Sequence, residues 1–340
     1  MPQRLPDRLH PPLARRRPCA ALFLLLLLAL SLSLFLGRYP HPYWMPPRLL
    51  HEDALAARLF FRLRLPRVLA AALTGGALAA AGLVMQMIFR NPLVSPGFLG
   101  VSQGAAFGAA FAILFLTSAP LAVQSSSALF ALLGLLFSYR LARHLRYGGW
   151  ALRLVLAGIA VSALFSSGVG LLKYLADPLR TLPEIVFWML GGLWAIRWES
   201  LGYVALLTLP ALLLLYLMRW RLNLLSLDDE TAFSLGAEPV RERGLLLTAA
   251  VVATAAVVSV AGIIGWVGLI VPHLARRIVG ADAQRALPAS MLIGASFTLL
   301  CDDLARLLLA GEIPLGILTS LFGALLFAVL LSRGMIGGRR

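Results

Sequence analysis

Charged residues are scarce in this 340-residue sequence. They make up 13% of the chain, whereas hydrophobic residues make up 60% and the mean hydropathy is +0.87. A soluble domain carries about 25% charged residues and about half apolar ones, so a soluble globular fold is excluded. The sequence therefore predicts an all-α integral membrane protein whose solvent is the bilayer.

Lysine is almost absent, since Lys173 is the single lysine among the thirty Lys and Arg residues. A phosphate-binding loop of the type G-x-x-x-x-G-K-[ST] is thereby excluded, because no such motif surrounds Lys173. The net charge of +15 does not indicate nucleic acid as a partner. Its arginines stand in short clusters between apolar runs rather than in a solvated basic patch with aromatic residues. If ATP drives this protein, another subunit hydrolyses it.

Cysteine and charges at membrane depth are scarce as well. The two cysteines, Cys19 and Cys301, form neither a disulfide framework nor a metal-ligand spacing. The nearest ionisable residues to the middles of the apolar runs are His273 and the pair Asp302 and Asp303. An ion-coupled carrier needs such charges as relays, and a membrane enzyme needs them as catalytic groups. The sequence therefore predicts no catalytic residue, no metal site and no cofactor bound by this chain.

Ten apolar stretches have lengths near the 20 or so residues that a membrane-spanning helix needs. They lie near 19–37, 66–88, 98–116, 121–139, 152–172, 200–218, 244–264, 266–280, 287–309 and 314–332. We expect the first to be a retained span; the alternative is a signal peptide, although no small-x-small cleavage site follows it. The eighth is short, which predicts a tilted or broken helix. A further apolar piece at 185–193 is too short to span and predicts a re-entrant helix or a helix lying on the surface of the bundle.

The placement of basic residues predicts the orientation of the chain. With ten spans and both termini in the cytoplasm, twenty basic residues lie inside and ten outside. Six of those ten crowd between Arg38 and Arg67, which the orientation rule does not explain. We expect one transmembrane domain over 1–340, with about 19–332 embedded in the membrane.

One predicted cytoplasmic connection, residues 226–243, is longer and more acidic than the others. Ser226, with Asp229 three residues later, predicts a capped helix that begins at the residue after Ser226. Gly236 is placed to end that helix in a left-handed conformation, and Pro239 to open a second short helix. Two short helices around a glycine turn would form a rigid projection for a cytoplasmic partner. The alternative is an ordinary capped loop.

Several ordered motifs over most of residues 60–332 resemble one family of membrane proteins. They are R-L-P-R at 64–67, G-L-V-M-Q-M-I-F-R-N-P-L-V-S-P-G-F-L-G at 82–100, G-I-I-G-W-V-G-L-I-V-P-H-L-A-R at 262–276, D-D-L-A-R at 302–306 and E-I-P-L-G-I-L-T at 312–319. On these motifs the chain resembles the FecCD-type permeases of ABC importers, which carry ferric siderophores, haem and vitamin B12. The usual pattern has one acidic residue where Asp302 and Asp303 stand, so the doubled aspartate is a small departure.

The resemblance implies a type II ABC importer permease fold that pairs with a second copy of itself in a bacterial-type inner membrane. It further implies two cytoplasmic ABC ATPase subunits, which would bind ATP and Mg, and a periplasmic or lipid-anchored binding protein. The only other partner expected is membrane lipid. The cargo would be an iron chelate (ferric siderophore or haem) or cobalamin, with a molybdate-type oxyanion as the alternative. The apolar spans do not discriminate among these cargoes.

The resemblance also assigns roles to particular residues. Coupling to the ATPase falls on Ser226, Leu227, Asp228, Asp229, Glu230, Ala232, Phe233, Leu235 and Gly236. Docking of the binding protein falls on Arg64, Arg67 and Arg306, which would explain the basic outer segment. The alternatives are snorkelling of Arg64 and Arg67 to the membrane interface and intramolecular pairing of Arg306 with Asp302 or Asp303.

The remaining motif residues are expected to support the architecture rather than to bind a partner. They are Arg90, Asn91, Pro92, Gly262, Gly265, Gly268, Pro272, His273, Pro314 and Gly316. The glycines suit close packing of helices. For His273 we expect a buried, hydrogen-bonded side chain, and the alternative is a haem ligand.

Overall fold

A computed structural model of the chain describes residues 17–40, 43–309 and 311–332. Its α-helices in chain order are α1 (Arg17–Phe35), α2 (Leu49–Glu52), α3 (Ala54–Leu59), α4 (Leu65–Ile88), α5 (Val101–Phe111), α6 (Pro120–His144), α7 (Trp150–Leu175), α8 (Thr181–Leu190), α9 (Trp198–Leu217), α10 (Arg219–Leu225), α11 (Asp229–Ser234), α12 (Pro239–Ala261), α13 (Val267–Val279), α14 (Ala283–Leu307) and α15 (Leu315–Ser332). A π-helical turn, Phe60–Arg64, joins α3 to α4, and another, Ala112–Leu116, extends α5. The two-residue strands β1 (Leu36–Gly37) and β2 (Tyr43–Trp44) pair in antiparallel orientation.

Each of the ten predicted apolar stretches is helical over most of its length. Among the described residues, eight helical stretches are long and apolar enough to cross a membrane; they contain α1, α3 with α4, α6, α7, α9, α12, α14 and α15. The other two predicted spans form the shorter helices Val101–Leu116 and α13. With 13 residues α13 is about 20 Å long, and an irregular, partly buried segment at 262–266 precedes it. The prediction of an all-α membrane protein with about ten helices is confirmed. The eighth span is short, as its length indicated, but α13 is one continuous helix and is not broken.

The predicted cytoplasmic placement of the two termini concerns segments outside the described residues. Those segments contain the basic residues Arg4, Arg8, Arg15, Arg16, Arg333, Arg339 and Arg340.

Helix α4 lies in the middle of the bundle, buried along nearly its whole length and packed against α12, α13 and α14. Its glycines permit the close approach of two neighbours, because Gly75 meets the backbone of Gly294 and Gly82 meets the carbonyl of Gly268. A Cβ at either position would collide with main-chain atoms. Small residues at such contacts let helix backbones pack directly against each other, so α4 fixes the positions of α13 and α14.

The short apolar segment predicted near 185–193 forms α8, which begins four residues earlier, at Thr181. After α8 the chain turns at Gly191, and the next amide, on Gly192, donates to the carbonyl of Ala261 at 2.8 Å. Gly262 (φ +67°) lies against the Trp188 carbonyl, and Gly316 lies against the Leu190 carbonyl. Gly262 and Gly316 therefore make room for the end of α8 between α12 and α15.

Candidate functional sites at the two ends of the bundle

The predicted glycine turn is present at the end of α11. Gly236 has φ +81°, and its N–H donates to the carbonyl of Phe233 at 2.9 Å. The next N–H, of Ala237, donates to the carbonyl of Ala232 at 3.0 Å, and both alanines are buried. These two bonds form a Schellman motif, in which a left-handed residue satisfies the last carbonyls of a helix. The prediction of a helix ended by a left-handed Gly236 is confirmed.

The predicted start of that helix is wrong by two residues. Asp228, and not Ser226, caps α11, because its carboxylate accepts the Thr231 N–H at 3.2 Å and the Thr231 hydroxyl at 2.7 Å. The Ser226 hydroxyl donates instead to the Asn223 carbonyl at 2.7 Å. The reason is backbone conformation: Asp228 is extended, as an N-cap requires, whereas Ser226 retains helical dihedral angles at the end of α10.

Pro239 opens a helix at its first position, as predicted, but that helix is the 23-residue α12 rather than a short one. The second short helix of the connection is α10, which precedes α11. A proline at the first position sets the start of a helix and has no influence on its length. The chain therefore passes from α9 through α10 and α11 directly into the next long helix.

Arg243 attaches α11 to the helix bundle. Its side chain is 5% exposed and pairs with Asp229 at 2.7 Å between Nη1 and Oδ1. The guanidinium group also donates to the Leu225 carbonyl at 3.2 Å and lies 5.0 Å from the ring centroid of Trp150, at the start of α7. Arg243 thus joins α10, α11, α12 and α7. No sequence motif pointed to it, although an arginine at the end of the predicted connection 226–243 was a visible signal.

Two further arginines hold the main chain of this connection. Arg221 donates to the Gly236 carbonyl at 2.8 Å and pairs with Glu242 at 3.2 Å. Arg90, at the end of α4, donates to the Leu227 carbonyl. Arg90 itself has φ +49° and occupies the position after the C-cap of α4, where glycine is usual. The loop is therefore tied at both ends and to the central helix.

The connection presents apolar side chains that the bundle does not cover. We call residues 226–240 the coupling knob. Phe233 is 71% exposed, Leu235 56% and Val240 85%. The Asp228 carboxylate has its pKa lowered, chiefly by the hydrogen bond from the Thr231 hydroxyl and then by that from the Thr231 N–H. A fixed backbone with an exposed aromatic side chain is typical of a protein–protein contact.

At the opposite end of the bundle, Arg67 lies within an acidic pair. Its guanidinium group contacts Asp302 at 2.9 Å and Glu312 at 2.8 Å, and each carboxylate receives two or more hydrogen bonds from it. The Arg67 side chain is 12% exposed and the Asp302 side chain is fully buried. Arg67 therefore connects α4 to α14 and to the segment before α15. Glu312 was quoted in a sequence motif, but its pairing with Arg67 was not predicted.

Arg306 pairs with both aspartates that precede it. Its Nε lies 3.2 Å from Asp302 Oδ2, and its Nη2 contacts Asp303. Nη2 also donates to the Ser33 hydroxyl at 3.1 Å, and that hydroxyl donates to Asp303 at 2.6 Å. The predicted alternative of intramolecular pairing holds here, with both aspartates instead of one, because i,i+3 and i,i+4 positions share a helix face.

Among the residues that the structure describes, no carboxylate pairs with Arg64, which donates to backbone carbonyls instead. It donates to Leu34 at 3.3 Å and to Tyr39 at 3.2 Å, and the residue is 8% exposed. The docking role of Arg64, Arg67 and Arg306 remains a prediction; in the structure their guanidinium groups are buried and bound within the chain. Arg58 and Arg62, on the same side, are exposed.

The remaining motif residues form the contacts that position α13. Pro272 has no N–H for the Gly268 carbonyl four residues earlier, and Gly82 of α4 packs against that carbonyl. His273 Nε2 is 2.9 Å from the Pro92 carbonyl, which places the N–H on that nitrogen. The Asn91 side chain accepts the Leu93 N–H at 2.9 Å. Over the described ranges, no three His, Cys, Asp or Glu side chains are grouped to hold a metal ion.

Comparison with known proteins identifies the architecture. The model of the FecCD transport family matches residues 24–333 of this chain. The chain belongs to the FecCD transport family. It is similar to the molybdate import system permease protein MolB of Haemophilus influenzae, with 41% identity over 93% of this chain and 96% of the relative. It is similar to the hemin transport system permease protein HmuU of Yersinia pestis, with 41% identity over 81% of this chain and 83% of the relative.

A solved structure supports the same family assignment. It is described as an inward-facing conformation of a metal-chelate type ABC transporter. It matches with a TM-score of 0.86 and 40% identity, covering 93% of this chain and 99% of that one. This FecCD-family chain is therefore a multi-pass membrane permease of the ABC importer type, as its motifs indicated.

Proposed function

We propose that this chain is the permease of a bacterial inner-membrane importer for an iron chelate, either a ferric siderophore or haem, or for cobalamin. The chain itself would catalyse no bond chemistry and would bind no cofactor. Two cytoplasmic ATPase subunits would supply the energy, and a periplasmic or lipid-anchored binding protein would deliver the cargo. A second copy of the chain would complete the pathway, and both termini would lie in the cytoplasm.

The observation that carries this proposal is the coupling knob. Arg90 and Arg221 bind its backbone and Arg243 pairs with its Asp229 side chain. Phe233 and Leu235 are left exposed. A rigid apolar projection outside the apolar helices suits a cytoplasmic protein that must push on the permease. Closure of the ATPase subunits would move α11, and Arg243 would pass that motion to α12 and α7.

The experiment is an ATPase assay in proteoliposomes that contain the permease and its ATPase partner. The binding protein is added empty, or loaded in turn with ferric siderophore, haem or cobalamin. Stimulation by one loaded form is the expected result and names the cargo. Transport by the chain alone, driven by an ion gradient and indifferent to ATP, would overturn the proposal.

A molybdate-type oxyanion is the second candidate cargo. The observation that favours it is the match to MolB, which extends over more of both chains than the match to HmuU. The same assay distinguishes the two candidates, because a binding protein loaded with molybdate is added as a further arm. If molybdate alone stimulates ATP hydrolysis, the importer mechanism stands and the chelate assignment is replaced.

A further inference from the structure

A cavity of about 910 Å³ lies beside the coupling knob, between α6, the first turns of α7 and the first turns of α12. One wall is apolar and includes Leu132, Leu136 and Leu247. The end of the cavity next to the coupling knob is polar and is lined by Arg143, Arg153, Arg243, Tyr139 and Asp229. The roles proposed for the chain leave this cavity without an occupant.

The polar end of the cavity has more positive charge than the protein neutralises. Asp229 is the single carboxylate in its lining, and it is already paired with Arg243. Arg153 donates from Nη1 to the Leu145 carbonyl at 3.1 Å. The Nε atoms of Arg153 and Arg243 are buried, and neither has a hydrogen-bond partner within the described part of the chain. Buried donors are nearly always satisfied in folded proteins, so these two atoms call for an acceptor.

The apolar and basic parts of the cavity lie one above the other along α6. Leu132 and Arg143 are eleven residues apart, which corresponds to about 16 Å along the helix axis. Leu132 and Leu136 are 39% and 42% exposed, so the apolar wall is open to the side of the bundle. The arginines are at the end where α6 emerges beside the coupling knob. A phospholipid has the same order, with acyl chains at depth and a phosphate at the surface.

We propose that this cavity binds one anionic phospholipid, with its phosphate between Arg143 and Arg153 and an acyl chain along Leu132, Leu136 and Leu247. Basic pockets between transmembrane helices on the cytoplasmic side are suited to acidic headgroups. A soluble protein would not reach the apolar wall at membrane depth. A zwitterionic lipid would bring a positive charge of its own into a site that already has an excess of positive charge.

Lipid bound in this cavity would also stabilise the coupling knob, an inference that rests on the proposed coupling function. Arg243 lines the cavity and also pairs with Asp229 of α11. A headgroup phosphate beside Arg243 would hold the arginine in place between α11 and Trp150. We therefore expect stimulated ATP hydrolysis to be several-fold faster with anionic lipid than without it.

Native mass spectrometry of the detergent-purified permease–ATPase complex tests the binding itself. Phosphatidylglycerol and phosphatidylcholine are added in equal amounts, and we expect one phosphatidylglycerol retained per permease. The variant Arg143→Gln plus Arg153→Gln should bind it roughly thirtyfold more weakly, because each arginine near a headgroup contributes about a factor of five. The matched control is Arg140→Gln plus Arg146→Gln, which removes the same charge from exposed positions outside the cavity and should bind like the wild type.

Four results would overturn the proposal: equal retention of phosphatidylcholine, equal loss in the control, competition by millimolar inorganic phosphate, or a photo-cross-link from position 136 to another protein. The third would indicate a soluble anion, and the fourth a protein occupant. A second variant, Leu132→Trp, keeps every charge and fills the apolar wall, so it should also lose the lipid while eluting as an intact complex. Retention by Leu132→Trp would contradict the acyl-chain placement.

The effect of the lipid on coupling is measured separately. ATPase stimulation is compared in phosphatidylcholine nanodiscs with and without phosphatidylglycerol. We expect the wild type and the Arg140/Arg146 control to respond, and the Arg143/Arg153 variant to be insensitive. If lipid binds but stimulation is the same in both nanodiscs, the link to the knob is wrong. If no loaded binding protein stimulates ATP hydrolysis in either nanodisc, the importer proposal fails while the lipid site still stands on the mass spectra.

Discussion

The two ends of the bundle use arginine in different ways. At the end opposite the coupling knob, Arg67 and Arg306 pair with Asp302, Asp303 and Glu312, so the guanidinium groups are bound by carboxylates. At the other end, arginines bind the backbone of the coupling knob as well as single carboxylates. The first arrangement locks helices together, whereas the second fixes a loop so that its apolar side chains are presented outward.

A cluster of arginines therefore does not by itself mark a docking surface. The crowding of basic residues between Arg38 and Arg67 suggested an acidic partner, yet Arg64 and Arg67 are used within the chain. By contrast, the exposed apolar surface of the coupling knob is formed by Phe233 and Leu235, and the knob's described residues, 226–240, include no lysine or arginine.

The largest effect is expected from Arg67→Ala. It leaves the fully buried Asp302 carboxylate with Arg306 alone, and breaking a buried pair costs about 3–5 kcal/mol of unfolding free energy. Thermal unfolding in detergent measures it, and Arg62→Ala, at an exposed position on the same side, is the control. Normal stability of Arg67→Ala, with loss of binding-protein docking alone, would restore the docking role and refute the internal one.

Gly236→Pro should have the next largest effect, and at the other end. Proline cannot adopt φ +81° and has no N–H for the Phe233 carbonyl, so we expect transport per ATP hydrolysed to fall roughly tenfold or more. Docking of the binding protein should be unchanged. In Gly236→Ala the left-handed conformation costs only about 1–2 kcal/mol. Its transport per ATP hydrolysed should therefore lie between that of the wild type and that of Gly236→Pro. Full coupling in Gly236→Pro would remove the knob from the mechanism.

Gly82→Ala tests the packing of α4, the helix between the two ends. The new methyl group would meet the Gly268 carbonyl, and overpacking of this kind costs typically about 1–3 kcal/mol. Gly202→Ala is the control, since nothing lies within 4 Å of a Cβ there. Equal melting temperatures for the two variants would show that the contact between α4 and α13 is looser than the structure has it.

The smallest effect concerns pH at the knob. Because the pKa of Asp228 is lowered, the stabilisation from its ionised form is present above the ordinary carboxyl pKa of about 4 and is lost as pH falls through the lowered value. The protection of the α11 amides, taken as the ratio of the intrinsic exchange rate to the observed rate at each pH, should therefore fall only at acidic pH in the wild type. In Asp228→Ala the protection should be low already at neutral pH and should lack that transition. A wild-type transition at pH 6 would contradict this assignment.

Much of the fold could be predicted from the sequence, because apolar runs and glycines carry strong local signals. The ten helical stretches, the short eighth span and the left-handed Gly236 depend on residues close in the chain. The cap at Asp228 was mistaken for Ser226, since both residues suit an N-cap and the extent of α10 decides between them. The pairing of Arg67 with Asp302 and Glu312 spans more than two hundred residues, so no local pattern contained it.

Photo-cross-linking at the two ends would test the central claim most directly. In the assembled transporter, a cross-linking amino acid is placed at Phe233 in the knob, or at Tyr43, which is 62% exposed at the opposite end of the bundle. We predict a covalent product with the ATPase subunit from position 233 and none from position 43. An ATPase product from position 43, or none from position 233 in an active complex, would contradict the account.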